Sequence, residues 1–235
     1  MGNPDRPTPL VESVAIVADG VTLQADLGAP GNAVGLVVFC HGSGSSRHSP
    51  RNRRVASHLQ SLGLATLLLD LLTPNEEQSD LASGRWRFDI ALLARRVAAV
   101  VRWAQSDGPV AGLPIGLFGS STGAAAALAA AAEPGSAVRA IVSRGGRPDL
   151  AADAIPRVLV PTLLIVGGHD TLVLELNRQA ARMLGAARVA VIPGATHLFE
   201  EPGALQCVAN LAGDWFVRHL PTALSDSADQ SVARP

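Results

Sequence analysis

Residues 116–130 read GLFGSSTGAAAALAA. An apolar run with strand character leads into two serines between two glycines, and an alanine run with strong helix preference follows. Gly119 and Gly123 make Ser121 the centre of a G-x-S-x-G pattern, in which Ser120 is only an intervening residue. A serine so placed sits on a sharp strand-to-helix turn with strained backbone angles, and glycines two positions away let strand and helix close on each other. The start of the helix also presents unbonded N–H groups and the positive end of its dipole, a setting for an anion. Two readings of Ser121 stay open at this point, a nucleophile and a plain helix cap.

Outward from this turn, short β-rich runs alternate with longer helical stretches. The runs are SVAIVA, VTLQADL, GLVVFC, LATLLLD, LPIGLFG, VRAIVS, PTLLIVG and ARVAVIP, with helices expected over 51–62, about 87–106, 121–132, 173–184 and 203–219. Asp19-Gly20 between the first two runs signals a two-residue hairpin turn, so the sheet should begin antiparallel. The later runs are continuously apolar, as strands covered on both faces are, and the segments between them suit crossover helices. The expectation is an α/β fold with a mostly parallel, doubly wound sheet and an antiparallel N-terminal hairpin. A single domain over 10–220 is expected, with loose ends at 1–9 and 221–235, which are polar, proline-bearing and without a period.

Apolar residues make up 48% of the 235 residues and charged ones 17%, enough for a substantial core and unlike a disordered chain. Lys plus Arg number 19 against 20 Asp plus Glu, without blocks of one sign, which disfavours nucleic acid and anionic membranes as partners. Cys40 and Cys207 lack ligand spacing, so neither a disulfide framework nor a metal site is expected. No apolar leader and no 18-residue apolar run is visible, which makes the cytoplasm the expected location.

A serine hydroxyl needs a base near neutral pH, and imidazole has the pKa for it. His197, in GATHLFEEPG, follows the last strand, where a side chain can swing over the carboxyl edge of the sheet. His41 belongs to the turn after VVFC, His48 and His58 flank the first helix, and His219 lies at a helix end. Asp170 ends PTLLIVGGHD and reaches the same edge, suited to orient the base, with Asp149 as the competing acid and His169 as a structural neighbour. The oxyanion donors expected are the backbone N–H groups of Thr122, after the nucleophile, and of Ser43, in the strand-HG turn of VVFCHGSGSSR. That turn could also cradle phosphate, but it lacks the third glycine of G-x-G-x-x-G and the Gly-Lys-Ser/Thr ending of a P-loop.

The strand-HG turn, GSSTG, GGHD and GATHLF together resemble the α/β-hydrolase superfamily over about residues 12–219, and the short chain is similar to its dienelactone hydrolase-like branch. HGSGSSRHSPRNRRVA, LLLDLLTPNEE, RFDIALLARR and VSRGGRPDLA further resemble bacterial hydrolase domains found alone or fused to phosphoribosyltransferases; no phosphoribosyltransferase segment is expected within these residues. The resemblance implies the α/β-hydrolase fold, a Ser121–His197–Asp170 triad and a hole at Ser43 and Thr122. Dienelactone hydrolases proper use a cysteine nucleophile, so their specificity is not carried over to a chain with Ser121.

Only about 17 residues separate VRAIVS from PTLLIVG, too few for the lid domain that many hydrolases of this fold insert there, so an open cleft is expected. Residues 71–90 read as the longest irregular stretch and could arch over the edge, with Trp86 and Phe88 as apolar walls or as a staple on the next helix. Arg87, Arg144 and Arg147 fall in loops at the carboxyl edge, where a guanidinium holds a substrate anion or bonds Asp89, Asp149 or a loop carbonyl. The resulting expectation is a serine hydrolase of small carboxylic esters or thioesters, with no cofactor and no metal. Acyl transfer by the same residues and a non-catalytic binding module are the alternatives.

Overall fold

The computed structural model describes residues 11–106 and 109–220. The expected loose ends at 1–9 and 221–235 lie outside the described residues. The chain opens with β1 (Val11–Ala18) and β2 (Val21–Gly28), joined at Asp19-Gly20 with both residues at positive φ, 50° and 79°. That backbone matches the twist of the flanking strands and sets the antiparallel register Ala18↔Val21.

From there strands and helices alternate: β3 (Leu36–Cys40), α1 (Pro50–Ser61), β4 (Ala65–Leu69), α2 (Pro74–Ser83), α3 (Ile90–Ser106), β5 (Ile115–Ser120), α4 (Thr122–Ala131), β6 (Val138–Arg144), β7 (Thr162–Gly167), α5 (Thr171–Met183), β8 (Ala187–Ile192) and α6 (Ala204–His219). The strands form one eight-stranded sheet in the order β1-β2-β4-β3-β5-β6-β7-β8. β2 pairs antiparallel with β4, and every pairing from β4 to β8 is parallel. This is the α/β-hydrolase fold that the sequence motifs imply. Between β6 and β7 lie two one-turn 3₁₀ segments, Pro148–Ala151 and Ile155–Arg157, where a lid would be inserted.

Both sheet faces are covered, which is why the central strands carry unbroken apolar runs. Leu36, Val38, Leu117 and Ile141 pack against α3 and α4, while Val37, Phe39, Phe118 and Val142 pack against α1 and α6. Ala124 to Leu128 in α4 are fully buried between sheet and α3, and only short side chains let a helix sit that close. Fully burying a Leu or Phe contributes roughly 1.5–3 kcal/mol each, so these paired layers fix the strand ends in space.

One element departs from the expected pattern. Residues 71–90 are not irregular throughout, because α2 occupies their middle. Thr73 Oγ1 accepts from the Glu76 N–H at 3.3 Å and Glu76 Oε2 accepts from the Thr73 N–H at 2.8 Å, a reciprocal cap with Pro74 at the first helical position. The signal for it, Thr-Pro-Asn-Glu, lay in the sequence; the low apolar content of the segment masked it.

Candidate active site

The carboxyl ends of β3, β5, β6, β7 and β8 converge on one rim. At the end of β5, Ser121 adopts φ 50° and ψ −121°, a conformation that costs a non-glycine residue on the order of 1–3 kcal/mol. Its N–H donates to the Arg144 carbonyl at 3.2 Å and its carbonyl accepts from the Arg147 N–H at 3.1 Å, so the β6 end holds the strained turn. The glycines meet the need inferred from the motif. A Cβ on Gly119 would overlap the Cα of Ala124, and one on Gly123 would overlap the carbonyl oxygens of Cys40 and His41. The Ser121 side chain makes no capping bond to α4. Helix capping therefore does not explain this serine.

Asp170 follows β7, and His197 lies in the loop after β8. His197 Nδ1 is 2.6 Å from Asp170 Oδ2. Gly167 makes this closeness possible, since a Cβ there would collide with the carbonyls of Ala195 and Thr196 in the histidine loop. The His169 N–H donates to the Ala195 carbonyl at 2.9 Å, tying the two loops again and giving His169 a structural place through its backbone. The His197 ring packs on Gly145, whose Cβ position lies 3.4 Å from ring atoms Cε1 and Nδ1, one residue past the carbonyl that holds Ser121. Three residues distant in sequence thus reach one rim. The Asp170–His197 pair is closed, whereas Ser121 Oγ and His197 Nε2 share no hydrogen bond. Asp149 bonds Arg147 at 2.8 and 2.7 Å and is not the partner of a histidine.

The strand-HG turn lies directly on the elbow, with the Cβ position of Gly42 3.0 Å from Ser121 Cβ. The Ser43 N–H is not free: it donates to Thr122 Oγ1 at 3.0 Å, and the two hydroxyls are also 3.0 Å apart. His41 carries a role that the sequence did not suggest. Its Nδ1–H donates to the Gly42 carbonyl at 2.9 Å and its Nε2 accepts from the Leu71 N–H at 3.0 Å, so a buried neutral imidazole ties the turn to the β4–α2 connection. Burial lowers its pKa, against the opposing pull of the Gly42 carbonyl and of Asp70 and Glu77.

A cavity of about 100 Å³ opens beside Ser43 and Thr122, walled by Leu71, Leu93 and Arg87 among others. Ser121 and His197 do not form its wall. Arg87 reaches it already bonded to Asp80, through Nε to Oδ2 and through Nη2 to the backbone carbonyl at 2.7 Å. The expected bonds to Asp89 are not the ones made. Trp86 and Phe88 do not line this cavity: the Trp86 indole N–H donates to Ser79 of α2 at 3.0 Å, and Phe88 is 57% exposed. The loop turns back onto α2 because buried Asp80 accepts from the Trp86 and Arg87 N–H groups.

Arg144 differs from the other two arginines. It is 8% exposed, its Nε and Nη1 are buried, and its guanidinium has no hydrogen-bond or ion-pair partner among the described residues. Burial, with a smaller contribution from Arg51, lowers its pKa to about 10, so it is still charged at neutral pH. Among the described residues no group of three or more His, Cys, Asp or Glu side chains is arranged to hold a metal ion.

The profile of the dienelactone hydrolase family matches residues 23–215. The chain belongs to the dienelactone hydrolase family. It is 52% identical to a solved dienelactone hydrolase from Anabaena variabilis, with 91% of this chain and all of that one covered and a TM-score of 0.89. It is also 56% identical over 210 residues to a Mycobacterium tuberculosis protein that carries the name of a phosphoribosyl transferase. That match takes in 89% of this chain and 46% of the relative, so the chain spans about half the length of the curated relatives it matches. Two further structures share the fold at low identity. Est1E from Butyrivibrio proteoclasticus is 17% identical, with 88% of this chain and 98% of that one covered and a TM-score of 0.73; the Pyrococcus furiosus esterase Pf2001 is 18% identical, with 90% and 92% covered and a TM-score of 0.72. The chain is thus a hydrolase-family protein, and none of its described helices is long and apolar enough to cross a membrane.

Proposed function

We propose that this chain is a serine-dependent hydrolase of small carboxylic esters or thioesters, acting through an acyl-enzyme on Ser121. The observation that carries the reading is the strained Ser121, held at φ 50° with a hydroxyl that caps nothing, on the rim where His197 is locked to Asp170. A serine kept in a costly conformation without a capping role is one whose oxygen is needed elsewhere.

In the proposed reaction Ser121 Oγ attacks the carbonyl carbon while its proton passes to His197 Nε2. Asp170 holds the Nδ1–H tautomer and stabilises the imidazolium. The Thr122 and Ser43 N–H groups receive the oxyanion. For Ser43 this means turning from Thr122 Oγ1, a hydroxyl acceptor, to a charged oxygen, which makes the stronger bond. The tetrahedral centre collapses as the His197 proton goes to the leaving alcohol or thiol. Water then gives a proton to His197, attacks the acyl carbon and releases the acid and the Ser121 hydroxyl. The small cavity beside Thr122 favours a short acyl or alcohol arm, and the free thiols Cys40 and Cys207 suit a reducing, cytoplasmic setting.

Labelling with a fluorophosphonate probe tests the assignment. The wild-type chain and Ser120→Ala should label and Ser121→Ala should not; labelling that survives Ser121→Ala discards Ser121 as nucleophile. Hydrolysis of 4-nitrophenyl acetate and butyrate by the same three proteins should follow the labelling.

A further inference from the structure

α5 buries one face, made of Val173, Leu174, Asn177 and Ala180. Three of these are apolar, as the core side of an amphipathic helix requires, and the fourth is an amide with 0% exposure. Asparagine is a weak helix former, and a buried polar side chain is costly unless it is hydrogen-bonded. Asn177 meets that need with its nitrogen alone. Both Nδ2 hydrogens are used, one on the Val173 carbonyl one turn back at 2.7 Å and one on the Gly146 carbonyl at 2.9 Å. Oδ1 is buried without a partner among the described residues. A leucine of similar size would fill this place without an unbonded oxygen, so what sets the asparagine apart is its reach to Gly146.

Gly146 belongs to the turn after β6, whose backbone bonds tie it to the site. The Arg144 carbonyl accepts the Ser121 N–H at 3.2 Å, the Gly145 N–H donates to the Ile165 carbonyl of β7 at 2.8 Å, and the Arg147 N–H donates to the Ser121 carbonyl at 3.1 Å. The His197 ring rests on Gly145. The Gly146 carbonyl is bonded to neither the elbow nor a strand; its donor is Asn177. On its other side Gly146 leans on α4, where a Cβ would overlap Ala124 Cβ and Ser143 Oγ. The turn that holds the nucleophile and underlies the base is therefore clamped between α4 and α5.

α5 also begins at the triad acid. Asp170 is its N-cap, and the Asp170 carbonyl accepts the Leu174 N–H at 2.8 Å, a bond of the first helical turn. Asn177 stands about two turns further along the same rigid rod. We propose that Asn177 is a positioning residue: its bond to the Gly146 carbonyl fixes the turn that sets Ser121 against the His197 ring, in register with Asp170. This deepens the ester hydrolase reading and rests on it. The polar group in the apolar face of α5 is then explained by the alignment it gives two residues that it does not touch.

Asn177→Leu keeps the size and removes the amide. Its kcat on 4-nitrophenyl butyrate should fall about 100-fold, the loss that a misplacement of about 1 Å produces, with KM within about threefold of wild type. The acid limb of kcat/KM against pH should keep its midpoint, because the Asp170–His197 bond is untouched. Leu184→Ala, in the core at the far end of α5, is the control for loosened packing. It removes buried apolar contacts and lowers the thermal midpoint, yet should keep kcat within about threefold of wild type. A kcat of Asn177→Leu that stays within about threefold of wild type overturns the proposal. An equal fall in Leu184→Ala also overturns it, by marking the loss as general loosening. A displaced acid limb does the same, since the effect would then act on Asp170 and not on the turn.

A measurement without turnover keeps these outcomes apart from failure of the esterase reading. The Ser121 and Arg147 amides close the elbow, and their hydrogen exchange is read relative to that of the Val142 amide in β6. In Asn177→Leu that relative exchange should quicken about tenfold or more, because the buried Gly146 carbonyl has lost its donor; in Leu184→Ala it should not change. If the wild-type chain neither labels with the fluorophosphonate nor hydrolyses an ester, the esterase reading fails and exchange alone decides, unchanged protection of both amides being the negative result. Should Asn177→Leu fail to fold, Asn177→Ser gives the same decision, since its hydroxyl can bond the Val173 carbonyl one turn back but stops short of Gly146.

Discussion

His197 Nδ1 lies 2.6 Å from Asp170 Oδ2, a contact between two residues 27 positions apart whose loops meet because Gly167 has no side chain. The aspartate determines which nitrogen of the ring carries the proton. With Nδ1–H donated to the carboxylate, Nε2 is the basic nitrogen. Asp170→Asn keeps the shape but offers an amide, which can reverse the tautomer. Its kcat on 4-nitrophenyl butyrate should fall on the order of 10⁴-fold, with KM changed much less. A fall of less than tenfold would mean that His197 is oriented by another group.

The elbow makes a prediction about stability rather than rate. A methyl group on Gly123 meets the carbonyl oxygens of Cys40 and His41, which are backbone atoms of β3 and its turn and cannot rotate away. Overpacking of ordinary cores costs typically 1–3 kcal/mol, and rigid neighbours put this site at the upper end. Gly123→Ala should therefore lower the thermal midpoint by roughly 6–12 °C for a chain of this size. Gly31→Ala, where a Cβ meets nothing within 4 Å, is the control.

Much of this arrangement could be read from residue types alone. Strands such as Leu36–Cys40 and Thr162–Gly167 are apolar throughout because both faces are covered, and their ends mark the rim where Ser121, Asp170 and His197 stand. Gly119 and Gly123 pointed to a close strand–helix approach, and the contacts they permit are the reason. What was not legible depended on which of several polar partners wins. Asp80 rather than Asp89 takes Arg87, and it also holds the Trp86 N–H, a choice set by the packing of α2. The engagement of the Ser43 N–H with Thr122 and the role of His41 as a tie likewise arise from contacts across 79 and 30 residues, which no local pattern encodes. Arg144 was conspicuous by position; that it lacks a counter-charge is a property of the folded chain.

Glu76 joins two of these features. It closes the cap of α2 and bonds the buried Arg96 at 2.6 and 2.8 Å, while Arg96 Nη1 also donates to the Leu71 carbonyl at 2.8 Å beside the cavity. Glu76→Ala leaves Arg96 as an uncompensated buried charge and should cost about 3–5 kcal/mol in urea unfolding. Burial alone would push the Glu76 carboxyl up, but the bonds from Arg96 and Thr73 outweigh it and hold it below the ordinary glutamate range. A lowered folded pKa means that the stabilisation is present above that range and is lost as pH falls through the folded value. Arg96→Met, which removes the buried charge together with its need for a partner, should cost less than Glu76→Ala; the reverse order would show that the cap, not the ion pair, dominates.

His41 should give the chain a second acid sensitivity at milder pH. Its Nε2 accepts the Leu71 N–H and its Nδ1–H is given to Gly42, so a further proton has no place without breaking the tie between the HG turn and the β4–α2 connection. Its folded pKa is below the ordinary histidine value of 6.5, and in the unfolded chain the ring titrates near that value. Between the two the unfolded state binds a proton that the folded state refuses. Stability is therefore complete above about pH 6.5 and is lost as pH falls below it, at a slope of at most about 1.4 kcal/mol per pH unit from this group. His41→Gln has no proton to gain in this range. Urea midpoints measured from pH 7.5 to 5.0 should decline more steeply for the wild type than for His41→Gln, and parallel declines would show that the imidazole is not held neutral.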